Sequence, residues 1–114
     1  MSTQKETIDF ILECLGNTEQ FTTKAMFGEY ALYAKGRVVA LVCDDILYVK
    51  VIPESRALET LCEKDAPYHG AKPHYLVEEG QLREIEDLPE ILFAIAAALP
   101  PQKPKKKALK RNVK

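Results

Sequence analysis

The chain has 114 residues, 46% of them hydrophobic and 29% charged, a balance that is typical of one soluble globular domain and excludes a fibrous or wholly disordered chain. Its longest apolar run, residues 91–99, is far too short to cross a bilayer, and the N-terminal residues lack an apolar signal-peptide core, so we expect a cytoplasmic protein. The net charge of −1 is unevenly distributed, because residues 103–114 carry seven bases and no acid, whereas residues 1–102 carry nine bases and seventeen acids, a net charge of −8.

A first helix is predicted over residues 4–15. Its apolar residues recur at the spacing of one helical face: Ile8, Ile11, Leu12 and Leu15. Thr3 and Glu6 have the spacing of a capping box at its start, and Gly16 is placed to end it in a left-handed conformation. We therefore expect this helix to bury one face.

Three strands follow, joined by two-residue turns at residues 35–36 and 44–45. The strands cover residues 29–34, 37–43 and 46–51. With two residues in each turn, the register pairs Ala34 with Arg37 and Cys43 with Ile46. One face then carries Ala31, Tyr33, Val38, Ala40, Val42, Leu47, Val49 and Val51. The other face carries Tyr30, Leu32, Val39, Leu41, Cys43, Ile46, Tyr48 and Lys50. Both faces are mainly apolar, whereas a sheet with one solvated face should alternate apolar with polar residues.

The second half of the chain predicts two more helices. Pro53 opens a helix that extends to about residue 64, and a strand lies near residues 74–78. Asp87 and Glu90 form a second capping-box pattern before a final helix over residues 88–99. The order of helix, three strands, helix, one or two strands and helix predicts an α+β fold.

Two blocks of this sequence carry a family resemblance. The first block comprises Met26, Phe27, Gly28, Tyr30, Leu32, Tyr33, residues 39–41, Cys43, Asp44 and residues 47–50. The second comprises Pro67, Tyr68, residues 70–73 and residues 75–77. Over roughly residues 21–99 the chain resembles the N-terminal domain of the TfoX/Sxy competence regulators, and its second block is similar to that of short stand-alone members. Glu29 and Ala31 stand where many members have glycines.

The resemblance implies an α-β3-α-β2-α order in two layers, with a single antiparallel sheet and the helices packed mainly on one face. It also implies a non-enzymatic regulatory role. The namesakes are positive regulators of natural competence that act on transcription with the cyclic-AMP receptor protein, and the family has no established catalytic residues. The namesakes have a second domain, which we expect this chain to lack. The implied partners are proteins of the transcription machinery.

The second apolar face of the sheet predicts a protein contact, because a large exposed apolar patch normally marks an interaction surface. The candidate interaction residues are Tyr30, Leu32, Leu41, Tyr48 and Lys50. Tyrosine and lysine suit an interface because each joins an apolar body to a polar tip. We expect a homodimer through this face, since a two-fold arrangement is the commonest way for one patch to bury itself. The alternative is a monomer in which the first or last helix crosses to this face.

Other residues are candidates for ligand chemistry. Gly70, Lys72 and His74 lie at a turn whose backbone suits an anion, so a small ligand-binding protein or enzyme is one alternative function. His69 and His74 lack the spacing of a zinc site. The cysteines, which lack CxxC spacing, are expected to be buried, reduced thiols: Cys14, Cys43 and Cys62. We therefore expect no metal, no cofactor and no catalytic residue.

The basic C-terminal segment supplies the other alternative. Residues 1–101 are expected to form the folded domain, and residues 102–114, rich in lysine and proline, are expected to be a disordered tail. Its cationic residues are candidates for contact with nucleic acid or an acidic partner: Lys103, Lys105, Lys106, Lys107, Lys110, Arg111 and Lys114. The chain is then either a nucleic-acid-associated protein that uses this tail or a domain that the tail merely keeps soluble.

Overall fold

One antiparallel sheet of six strands and a layer of helices make up the fold, in a computed structural model that describes residues 3–16, 18–26 and 28–99. The strands are β1 (Phe21–Met26), β2 (Glu29–Ala34), β3 (Arg37–Cys43), β4 (Ile46–Val49), β5 (Glu63–Asp65) and β6 (His74–Val77). The helices are α1 (Lys5–Cys14), a 3₁₀ helix (Pro53–Leu58), α2 (Glu79–Glu84) and α3 (Leu88–Ala98). The strand order is β1-β2-β3-β4-β6-β5, and the predicted α+β class is confirmed.

Two tight turns set the positions of the central strands. Lys35 and Gly36, between β2 and β3, have φ angles of 52° and 83°, and Asp44 and Asp45, between β3 and β4, have φ angles of 53° and 64°. A positive φ at both central positions is typical of the type I′ turn, whose twist matches that of paired strands. The predicted pairs are confirmed: Ala34 with Arg37 and Cys43 with Ile46.

Strand β3 contains one extra residue, Val39. Leu32 of β2 pairs with Ala40, whereas the next residue, Tyr33, pairs with Val38, so Val39 has no partner in β2. Such a bulge places two residues of one strand opposite one residue of the other. Because side chains alternate between faces, the extra residue reverses the faces of β2 relative to residues 40–43 of β3, compared with the prediction.

The helices cover one face of the sheet and form the core with it. The helix side contributes Ile8, Ile11, Leu15, Leu82, Ile85, Leu88, Ile91, Leu92, Ile95 and Ala96. The sheet side contributes Phe21, Leu32, Ala34, Val39, Ala40, Val42, Leu47, Val49, Tyr75 and Val77. Leu32 and Val39, which we predicted on the open face, are therefore core residues. The prediction was wrong because it lacked the bulge.

Both predicted capping boxes are wrong. The residue at the N-cap of α1 is Gln4, and Thr3 lies outside the helix with its hydroxyl bonded to the sheet. Asp87 is the N-cap residue of α3, but its side chain makes no capping hydrogen bond. The start of α1 is instead bound by the β3–β4 turn, since the Asp45 carboxylate accepts the Gln4 N–H at 2.8 Å.

Four further elements differ from the prediction. Residues 21–26 form strand β1, and residues 79–84 form helix α2, where no element was expected. The predicted second helix is a 3₁₀ helix that ends at Leu58, and residues 63–65 form β5 instead. A buried hydroxyl shapes this segment: Ser55 Oγ donates to the Lys50 carbonyl at 2.6 Å and accepts the Ile52 N–H at 3.1 Å. Such side-chain-to-backbone bonds compete with regular helical bonds.

The two edges of the sheet are protected unequally. Strand β5 has only three residues, all charged and exposed. Strand β1 has six residues, and only its first, Phe21, is buried. The Phe21 ring stacks on Phe93 of α3 with ring centroids 4.8 Å apart, which fixes β1 against the helix layer. Short, charged strands are a common way to block an edge against further pairing.

Leu92→Ala should lower the free energy of unfolding by about 2–5 kcal/mol, because Leu92 is fully buried between α3 and the sheet and its truncation leaves a cavity. Leu61 provides a matched control, since it is 51% exposed, and Leu61→Ala should change the free energy by less than about 0.5 kcal/mol. Urea unfolding followed by circular dichroism measures both. Equal losses in the two variants would contradict the assigned core.

Candidate interaction site

The face of the sheet away from the helices carries a second set of apolar side chains. By the observed register this open face comprises Ala31, Tyr33, Val38, Leu41, Cys43, Ile46, Tyr48 and Leu76. None of them belongs to the core cluster under the helices. Tyr33, Val38, Leu41, Ile46 and Leu76 keep part of their surface exposed. The open face therefore remains apolar after the register is corrected.

The predicted interaction residues divide between the two faces. Leu41 and Tyr48 lie on the open face, directly opposite each other on β3 and β4, but only Leu41 keeps exposed surface, because Tyr48 is buried. Leu32 is fully buried in the core and is not available to a partner. Tyr30 is half-buried, packs against the core cluster and also lines a cavity on the open side. Lys50 follows β4, is half-buried, and donates its backbone N–H to the Val39 carbonyl at 3.2 Å.

A cavity of about 510 Å³ lies between the open face and the connection from β5 to β6. Its lining residues are Met26, Glu29, Tyr30, Leu41, Cys43, Pro67 and Tyr68. Tyr68 is 60% exposed and Met26 is 44% exposed, so their side chains border solvent. Cys43 is almost fully buried. The cavity thus has an apolar wall, one carboxylate and an opening to solvent.

The carboxylate of Glu29 is held in place at this cavity. Its Oε1 atom accepts a hydrogen bond from the Thr3 hydroxyl at 2.6 Å and another from the Asp44 backbone N–H at 3.0 Å. Thr3 Oγ1 also accepts the Asp45 backbone N–H at 3.2 Å. Because Thr3 is buried, these bonds connect the start of the chain, the cavity wall and the β3–β4 turn in one network.

Asp45 extends the network to the first helix. Its Oδ1 atom accepts the Gln4 backbone N–H and the Thr7 hydroxyl, both at 2.8 Å. These bonds favour the ionised form, so they lower the pKa of Asp45, the Gln4 N–H contributing most and the Thr7 hydroxyl next. The turn therefore does the capping that Thr3 was predicted to do.

Negative charge surrounds the open face at this end. Burial raises the pKa of Tyr48, and the charges of Asp65, Asp44 and Glu29 raise it further. Burial, Glu29 and Asp44 likewise raise the pKa of the Cys43 thiol. The thiol therefore stays protonated at neutral pH, where it is a poor nucleophile.

At the turn that was a candidate anion site, two groups make local hydrogen bonds. Gly70 has a φ of 89°, and the Ala71 N–H donates to the Tyr68 carbonyl at 3.1 Å. His74 Nδ1 lies 2.8 Å from the Lys72 carbonyl, which can only accept, so Nδ1 carries the proton. Among residues 3–16, 18–26 and 28–99, no group of three or more His, Cys, Asp or Glu side chains is arranged to hold a metal ion.

The opposite end of β2 and β3 is basic. Arg37 Nη1 donates to the Ala96 carbonyl at 3.1 Å, near the end of α3, and Lys35 Nζ lies 5.0 Å from the centroid of the Phe93 ring. The residues of the predicted basic contact lie outside the described residues: Lys103, Lys105, Lys106, Lys107, Lys110, Arg111 and Lys114. The chain reaches that segment from this basic end, since α3 ends at Ala98.

Four residues that line the cavity were not predicted from the sequence as site residues: Met26, Glu29, Pro67 and Tyr68. Met26 was missed because β1 was not predicted as a strand, although Thr22 and Thr23 have side chains that favour strands. Glu29 was missed because its role depends on the long-range hydrogen bond to Thr3, which periodicity does not reveal.

Comparison with known proteins places the chain among related sequences. A family model described as the TfoX N-terminal domain matches residues 13–94. An uncharacterized 12.7 kDa protein in the trpE 5′ region of Spirochaeta aurantia is 32% identical over 106 residues, which cover 93% of this chain and 91% of that protein. Across the described ranges, none of the helices has the length and apolar character needed to cross a membrane.

Asp45→Asn should remove a pH-dependent part of the stability. The pKa of Asp45 is lowered in the folded state, so its contribution is present above the unfolded value of about 4 and is lost as the pH falls toward the folded value. The difference in Tm between wild type and Asp45→Asn should therefore be largest near pH 7 and should shrink below about pH 4. Thermal unfolding across this pH range measures it.

Asp44→Asn is the matched control, because Asp44 occupies the same turn with positive φ and its carboxylate makes no hydrogen bond within the described ranges. A Tm difference for Asp45→Asn that stays constant with pH would contradict the proposed origin of the pKa shift.

Proposed function

Since the chain belongs to the family of the TfoX N-terminal domain, we propose that it is a non-enzymatic protein-contact module in gene regulation and that the open face is its contact surface. Family membership supports a module of the competence-regulator type.

The apolar open face is the observation that carries this proposal. The helices cover only the other face, and Leu41, Ile46 and Leu76 keep exposed surface beside the cavity. Apolar surface of this kind, bordered by polar groups, is typical of a protein contact. The Cys43 thiol, whose pKa is raised by burial, is protonated at neutral pH and does not favour a competing reaction at this face.

The first partner we propose is a second copy of the chain. Strands β2, β3 and β4 place Ala31, Leu41 and Tyr48 in one row, in which Ala31 and Tyr48 are buried within the chain and Leu41 keeps exposed surface. A two-fold axis near Leu41 brings the same patches of two copies together. Leu41 lies at the middle of that row, where a partner excludes most water. The centre of an interface is where a substitution has its largest effect.

Leu41→Glu should convert the dimer to a monomer, because it places a carboxylate at the centre of the proposed contact, where it cannot be paired. Sedimentation velocity over a concentration series measures the change in mass. We expect a shift of at least tenfold in the dissociation constant, since an unpaired charge buried at an interface costs more than 1.4 kcal/mol.

Ala97→Glu is the control for added charge, because Ala97 is exposed on α3, in the helix layer on the other side of the sheet. It should leave the dissociation constant within about twofold of wild type. A wild-type chain that stays monomeric at high concentration contradicts the dimer, and so does a Leu41→Glu variant that unfolds by circular dichroism instead of dissociating.

A second candidate function is nucleic-acid contact through the basic C-terminal segment. The observation that favours it is the position of Lys35, which is exposed at the basic end from which residues 99–114 continue. The segment's seven bases would then act together with this end of the fold. The net charge of −8 on residues 1–102 disfavours a contact elsewhere on the body.

Binding of this kind should be weak, independent of sequence and strongly dependent on salt. Seven neutralised phosphates set a log–log salt slope no steeper than about −6 for the tail, and an added contact from Lys35 would steepen it by about one. Titration of a labelled DNA duplex at several salt concentrations measures the slope. Lys35→Ala should reduce the slope by about one, whereas Lys5→Ala, which removes a lysine paired with Asp9 at the other end, should not. Binding that survives deletion of residues 103–114 contradicts this function.

A further inference from the structure

We propose that the cavity beside the open face is a binding site for a small apolar molecule that carries one positive charge, such as an arylalkyl amine. Its volume of about 510 Å³ lies within the range of about 300–1,000 Å³ that small-molecule sites occupy. This site goes beyond the proposed protein contact, and because Leu41 belongs to both, a ligand and a second copy would compete for it.

The wall of the cavity suits an apolar ring or chain. Leu41 and Cys43 form its base on β3, and Pro67 and Tyr68 face them from the β5–β6 connection. Burial of a ligand between these residues removes apolar surface of both partners from water, which favours binding. Tyr68, which is exposed, closes the outer side of the cavity. It is not part of the core cluster, so its replacement should leave the core intact.

The single carboxylate determines the charge of the ligand. Glu29 lines the cavity, and its Oε1 atom is already fixed by Thr3 and by the Asp44 N–H. Within the described ranges, its Oε2 atom makes no hydrogen bond and no ion pair. A fixed carboxylate with one oxygen available is preorganised to accept an ammonium group.

The surrounding charges support the same sign. Asp44 and Asp65 lie close enough to Tyr48 to act on it together with Glu29, so the field at this end is negative. The cations nearest along the chain to the lining residues are Lys24, two residues before Met26 on β1, and Lys64, three residues before Pro67, and neither lines the cavity. Lys64 is paired with Glu59. Tyr30 and Tyr68, which do line it, offer aromatic faces to a cation.

The test uses the full chain with its methionine methyl groups labelled with carbon-13. The chain has two methionines, and Met26 lines the cavity, so its methyl signal reports directly on occupancy. The probes are 2-phenylethylamine, its neutral analogue 2-phenylethanol and the anion 3-phenylpropanoate. The Met26 signal should shift and saturate with the amine, which should bind about three- to tenfold more tightly than the alcohol. The anion should bind most weakly.

Two variants locate the interaction. Glu29→Gln keeps a side-chain oxygen for Thr3 and the Asp44 N–H but removes the charge, so the amine and the alcohol should then bind within twofold of each other. Glu90→Gln, which removes an exposed acid of α3 on the helix side, should leave the ratio unchanged. Tyr68→Ala should weaken both probes because it opens the outer wall.

Several outcomes would overturn the proposal. Equal affinity of wild type for the amine and the alcohol removes the role of Glu29, and unchanged affinities in Tyr68→Ala remove the cavity as the site. A Met26 signal that shifts with protein concentration and not with amine shows that a second copy occupies the cavity, which defeats this proposal while supporting the protein contact.

Discussion

One extra residue in β3 decides which side chains the helices cover. Val39 has no partner in β2, so Leu32 and Val39 both point to the helix layer, while Tyr33 and Leu41 are left on the open side. Small residues at Ala34 and Ala40 allow the helix layer to pack closely at this point. The core, the apolar open face and the base of the cavity all depend on this local change of register. Each is built from side chains on one face of the sheet, and the extra residue decides which side chains lie on that face.

The cavity wall and the β3–β4 turn are joined by Thr3, the first residue that the structure describes. Its backbone N–H donates to the Gly28 carbonyl at 3.1 Å, and its hydroxyl joins Glu29 to the β3–β4 turn. The same turn holds the start of α1 through Asp45. The helix layer and the cavity wall therefore share one set of buried polar bonds, and such a network must be complete to be stable.

Sequence reasoning identified the elements whose signals are local. The apolar spacing of Ile8, Ile11 and Leu15 predicted α1, and the paired turn residues predicted both hairpins, including the opposition of Ala34 to Arg37. It could not identify the bulge at Val39, since a run of apolar residues with no polar marker fits either register. It also misassigned the caps, because Asp45 reaches Gln4 across 41 residues of chain. Leu41 and Tyr48 were predicted on the face where the structure has them, whereas the positions of Glu29 and Tyr68 at the cavity required the folded chain.

Because its two edges differ, the sheet has one edge at which a strand from another molecule can pair more readily. A strand that paired with β5 would desolvate the charges of Glu63, Lys64 and Asp65. Three residues provide too few backbone hydrogen bonds to offset that cost. At β1 six residues are offered, with Lys24 as the one charge among them. A misfolded neighbour would thus add to the sheet beside β1, and the ammonium group of Lys24 is what opposes fibril-like stacking there. Acetylation of that lysine would remove this protection without touching the core.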